Sequence, residues 1–281
     1  MSLALLLDGL SFPEGPRWHE GRLWFSDFYR HEVVAVDLEG NRERMLAVPN
    51  QPSGLGWLPD GDLLVVSMLD RRLLRWDGAT ASTHADLSAV VSSPCNDMVV
   101  DGDGRAYVGN FGFERHKGEP PVNTSMVIVE PDGAITLGPD DLAFPNGTVI
   151  TPDGTTLIVG ESMANRLTAF DRDPDSGSLT NRRVWADLGP SVPDGICLDA
   201  EGAVWVADPV NGEAFRVIEG GDVTDRISTG EGRNAYAAML GGPDGTTLLL
   251  ATCTTSGPQA AASRNGRIET TTVAVAGAGW P

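Results

Sequence analysis

One turn-and-strand unit recurs six times along this chain, and that recurrence limits the possible folds more than any other feature. The copies read WHEGRLWFSD (18–27), LPDGDLLVVS (58–67), VDGDGRAYVGN (100–110), TPDGTTLIVGES (151–162), LDAEGAVWVAD (198–208) and GPDGTTLLLAT (242–252). Their turn glycines are Gly21, Gly61, Gly104, Gly154, Gly202 and Gly245, spaced 40 to 50 residues apart. A glycine after an acidic or polar residue supplies the positive φ of a tight hairpin turn. The runs that follow, such as Leu63–Ser67 and Val204–Ala207, have strand composition. A second strand-like run follows each hairpin, and a third appears less regularly, as at 43–48 and 182–188. No segment longer than a turn or two keeps a helical period.

Units of this length and content predict an all-β chain folded as a six-bladed β-propeller, one domain over 1–281. Radial repetition covers both faces of each sheet and shields its edges. The strand at 3–9 has no hairpin of its own. It is expected to close the ring by joining the last blade beside Arg267–Val275. An open β-sandwich of hairpins is the alternative, and six in-register copies weigh against it.

Composition removes several functions. The net charge of −19 argues against nucleic acid and anionic membranes as partners, because phosphate would be repelled. No apolar run reaches the ~20 residues of a membrane helix. The first ten residues lack the basic start of a signal peptide. The three cysteines, Cys95, Cys197 and Cys253, form no paired motif. These features predict a cytoplasmic protein, a monomer or weak homo-oligomer, acting on a small molecule. Lys117 is the only lysine, which leaves little scope for Schiff-base chemistry. Neither an HExxH pair nor a GxSxG elbow is present.

What precedes each turn points to a site. Glu14 lies seven residues before its turn glycine, and Ser53, Asn96, Asn146 and Asp194 lie eight before theirs. Ala237 is nearest that register in the sixth copy. In a propeller these positions converge on the central axis. Two carboxylates and two amides there repel or compete unless something compensates. A hard divalent cation does so, since carboxylate and amide oxygens suit Ca²⁺, Mg²⁺ or Mn²⁺. The alternative is that these residues only cap turns.

FPEGPRW (12–18), FPNGTVITPDGTTLIVGES (144–162) and VPDGICLDAEGAVWVADPVNGEAFRV (192–217), in that order, resemble the gluconolactonase/regucalcin (senescence marker protein) family. The resemblance implies a six-bladed propeller with a divalent metal on its axis, held here by Glu14, Asn146 and Asp194. It places Asn96 beside the substrate. Ca²⁺ is the expected ion, with Zn²⁺, Mg²⁺ and Mn²⁺ as alternatives. Sugar-lactone members carry an arginine two residues before that asparagine, where this chain has Pro94. The loop at 109–121 adds Phe111 and Phe113. Together these shift the expected substrate toward a less polar lactone or ester.

The expected activity is metal-dependent opening of a lactone, with Lewis-acid activation of carbonyl and water. Asp194 is the expected ligand and base, Asn96 orients the substrate, and Ser53, Phe111 and Phe113 are further substrate-contact candidates. Asp97 is a lesser candidate, more structural than catalytic. A phosphotriesterase, an isomerase or dehydratase on the same site, and a non-catalytic ligand-binding propeller remain the other readings.

Overall fold

The computed structural model describes residues 2–279 and contains six four-stranded antiparallel sheets arranged as the blades of a propeller. Counted from the axis outward, blade 1 runs Pro13–His19, Arg22–Asp27, Glu32–Val36 and Arg42–Ala47. The innermost strands of blades 2 to 6 are Pro52–Trp57, Cys95–Val100, Pro145–Ile150, Ile196–Leu198 and Asn234–Gly241. The six hairpin glycines all have positive φ.

The second strand of each blade is covered on both faces, which is why its sequence reads as an unbroken apolar run rather than an alternation. Leu63–Ser67 and Val204–Asp208 are buried at every position. Leu23, Phe25 and Val34 of blade 1 pack with Ala238, Leu248 and Leu250 of blade 6 in one inter-blade core. Outermost strands such as Arg42–Ala47 and Val223–Ser228 are mostly exposed and carry charge.

The ring closes as expected from the sequence. Ala4–Leu10 pairs antiparallel with Gly266–Thr272 and becomes the outer strand of the last blade. The helical content is slight. The six-residue helix Pro258–Ser263 and the short 3₁₀ turn Phe28–Arg30 lie on the same side of the ring as the cavity. Among the described residues no helix is long and apolar enough to cross a membrane.

Candidate metal centre and active-site cavity

Five of the six innermost strands break register at the same place, near their first residues. The shifts fall between Glu14 and Arg17, Pro52 and Leu55, Cys95 and Met98, Pro145 and Thr148, and Ala235 and Ala237. A bulge re-aims a side chain, and here the bulged segments carry Glu14, Asn96 and Asn146 to the axis. Two glycines let the strands meet closely. A Cβ on Gly147 would lie 2.4 Å from the Ile196 nitrogen, and one on Gly195 2.5 Å from the Ala237 Cβ. Hydrogen bonds stitch these contacts: Gly147 N–H donates to the Asp194 carbonyl (3.1 Å) and Gly195 N–H to the Tyr236 carbonyl (2.8 Å).

A second ring of polar residues, missed in the sequence, fixes the approach to these strands. Asp27 accepts hydrogen bonds from Ser11 and Phe12 N–H, both 2.9 Å, just before Glu14. Glu161 accepts from Ala143 N–H at 2.8 Å, just before Asn146. Both are fully buried, at the end of their blades' second strands. The signal was present: an apolar run ending abruptly in Asp or Glu, as at WFSD and IVGE.

Glu14, Asn96, Asn146 and Asp194 line one cavity of about 720 Å³. Asn146 Nδ2 donates to Asp194 Oδ1 at 2.5 Å and to Ser162 Oγ at 3.1 Å. Asn96 Nδ2 donates to Asn146 Oδ1 at 3.1 Å. Ser162 Oγ in turn donates to the Pro193 carbonyl at 2.6 Å, which holds blades 4 and 5 together beneath the cavity.

The electrostatics of this group are unbalanced. Burial raises the Glu14 carboxyl well above its ordinary range, with repulsion from Asp194 and Asp97 adding to it. Burial also raises Asp194 to about 7, against the hydrogen bond from Asn146 and the charge of Arg115. The nearest buried guanidinium is already committed. Arg17, three residues along the strand from Glu14, reaches from blade 1 to Asp97 on blade 3, with Nη2 to Oδ1 at 3.0 Å. It also donates to the Met98 and Pro16 carbonyls. No ion pair to Glu14 or Asp194 occurs among the described residues. The donor set fits a hard divalent cation: two carboxylates without an ion-pair partner, buried Glu14 and half-buried Asp194, with amide and hydroxyl oxygens beside them and, among the described residues, no histidine or thiol lining the cavity.

The remaining sequence candidates divide. Phe111 lines the cavity, stacked on Phe144 with centroids 4.7 Å apart. Phe113 does not; it is buried and packs against Phe144 at 6.0 Å, a wall support rather than a substrate contact. Ser53 is also absent from the lining. It is 2% exposed, and its carbonyl accepts from Ser26 Oγ at 2.6 Å, a contact between blades 1 and 2. Asp97 is tied to Arg17. Pro94 lines the cavity where the resemblance would place an arginine, and among the described residues the one basic side chain in the lining is Arg115, from the loop after the third hairpin. Tyr236, Tyr29 and Phe12 also line it. Their blade positions were legible, but their inward aim depends on tertiary packing such as the 4.6 Å Phe12–Tyr236 contact. Burial pushes the Cys95 thiol up to about 12, so it is neutral and no nucleophile.

The architecture is thus a closed six-bladed propeller with carboxylate and amide side chains gathered near its axis and open to a large cavity. The chain belongs to the family described as SMP-30/Gluconolactonase/LRE-like region, which matches residues 12–254. It is similar to regucalcin of Macaca fascicularis, 30% identical over 228 residues that cover 73% of this chain and 74% of that one. It is also similar to a pentonolactonase of Haloferax volcanii, 25% identical over 85% of this chain and 80% of the relative. A solved structure described as a calcium-binding regucalcin from Agrobacterium tumefaciens superposes with a TM-score of 0.81. It is 26% identical and covers 98% of this chain and 95% of that one.

Proposed function

We propose that this protein is a divalent-metal-dependent lactonase, a single propeller domain whose ion, Ca²⁺ in the first instance, is held by Glu14, Asn146 and Asp194. The observation that carries the reading is the pair of carboxylates lining the cavity, buried Glu14 and half-buried Asp194, neither with an ion-pair partner among the described residues. A non-catalytic scaffold has no use for charge held there at such cost. The pentonolactonase relative supports the substrate class, and the calcium-binding regucalcin supports the ion.

When bound, the ion supplies Lewis acidity to the lactone carbonyl and to water. The protein's own groups provide the rest. Asn146 fixes Asp194 through Oδ1, leaving Oδ2 to take a proton from the attacking water. As the ring C–O bond breaks, that proton passes to the leaving oxygen, so water is consumed and a hydroxy acid formed. Asn96 Nδ2 stands beside this group to orient the carbonyl. Phe111 and Phe144 on one side and Phe12 and Tyr236 on the other restrict water around the reacting ring. Three buried free cysteines accord with a reducing compartment, and we place the protein in the cytoplasm.

The test is metal analysis of the purified protein coupled to acid release from a panel of lactones. Activity should vanish on exhaustive chelation, return with Ca²⁺, and be lost in folded Glu14→Ala, Asn146→Ala and Asp194→Ala variants. Acid release that survives chelation, or full activity in Asp194→Ala, contradicts the assignment.

A further inference from the structure

We infer that the lactone accepted here carries an apolar substituent, alkyl or aromatic, of several carbons, rather than the hydroxyl groups of a sugar lactone. The inference rests on the lactonase reading and concerns the same cavity.

The cavity is two-sided. On the third to fifth blades its wall is the Phe111–Phe144 stack, continued by Pro94, Val192 and Pro209. At the rim Leu69, Met163 and Val210 are 50%, 46% and 65% exposed. These three belong to three different blades, yet all edge the one opening. Large apolar side chains exposed singly are ordinary, but several around one concavity mark a surface meant to be covered. No packing need explains them, since each follows the second strand of its blade, where a polar turn would serve equally well.

Two of the polar groups on that side are engaged within the protein. Asn165 Nδ2 donates to the Ser191 carbonyl at 2.9 Å, and Ser162 Oγ bridges Asn146 and the Pro193 carbonyl. Pro94 offers no donor at all. A polyhydroxylated substituent lying against the aromatic stack would give up its water for few replacement hydrogen bonds, which selects against it. The groups able to meet a lactone's ring and carbonyl oxygens are Asn96 at the axis, Tyr236 on blade 6 and Arg115 on the third blade's loop. The ring therefore sits at the axis, and its substituent runs outward across the aromatic stack toward the rim.

The test compares δ-decalactone with D-glucono-δ-lactone on the Ca²⁺-loaded protein. The expected kcat/KM ratio favours the alkyl lactone by about tenfold or more, the usual worth of apolar pocket contacts. The double variant Met163→Ser/Val210→Ser, changed only at exposed positions where folding is not at stake, should lower that ratio by at least about threefold. A preference for gluconolactone, equal rates, or a ratio unmoved in the double variant overturns the inference while leaving the lactonase reading intact. If neither lactone opens, the lactonase reading falls, and calorimetric titration with the ring-opened acids decides the inference separately. Tighter binding of 5-hydroxydecanoate than of gluconate upholds it, and equal or weaker binding overturns it.

Discussion

Replacing Asp194 by asparagine should stabilise the metal-free protein while disabling the site, because the native carboxylate is held against its own solvation. Its carboxyl rises from 3.8 to about 7 on folding, chiefly through burial. The folded protein therefore retains a proton that the unfolded chain has lost between those values. Stability must fall as pH rises through that window, and it stays low above it. At about 1.4 kcal/mol per pH unit, the full effect is about 4 kcal/mol, of which about 3 kcal/mol falls between pH 5 and pH 8. For a chain of this size that corresponds to a Tm difference of about 5 °C. Scanning calorimetry in excess chelator reads it directly. Wild type should melt lower at pH 8 than at pH 5, Asp194→Asn should lose most of that difference, and Ca²⁺ should stabilise wild type far more at pH 8. Glu14 is raised in the same direction and adds to the wild-type slope. If Asp194→Asn keeps the full pH dependence, or Ca²⁺ stabilises both pH values equally, the carboxylate is not under the strain described and the argument for a cation there collapses.

Two further outcomes follow from the packing around the axis. Arg17→Met strips Asp97 of its buried partner and should cost about 3–5 kcal/mol in urea denaturation, with part recovered in the Arg17→Met/Asp97→Asn pair. An unchanged midpoint in the single variant would show that the pair bears no such burden. Gly147→Ala places a methyl 2.4 Å from the Ile196 nitrogen and 2.6 Å from the Asp194 carbonyl oxygen. It should destabilise by about 1–3 kcal/mol and weaken Ca²⁺ binding measured by titration; wild-type affinity in this variant would show that the strand contact does not set the Asp194 position.

The sequence revealed the architecture because each blade writes its own turn glycine and apolar run at a regular interval, a local signal needing no tertiary knowledge. The axial residues were legible for the same reason: Glu14 lies seven residues before its turn glycine and Asn96, Asn146 and Asp194 eight before theirs, and a ring converts such near-equivalent positions into proximity. What stayed hidden depends on which way a side chain turns after the strand ends. Phe113 is in the same loop as Phe111, yet one packs behind Phe144 and the other faces the cavity. Ser53 shares the register of Asn146 but is withdrawn from the lining. Arg17 reads as an ordinary strand cation in FPEGPRW, and only its reach to Asp97, 80 residues away in sequence, makes it the counter-charge of a buried acid.

The last blade is assembled from both ends of the polypeptide, with Ala4–Leu10 added to Gly266–Thr272. During synthesis Ala4–Leu10 must wait for this partner until residues 266–272 have left the ribosome. Three of its leucines, Leu6, Leu7 and Leu10, later join the inter-blade core, so the nascent chain carries an adhesive segment through that period. Closing the circle thus waits on residues 266–272, and a ribosome stalled before residue 266 leaves a product able to recruit a neighbour's strand in place of its own.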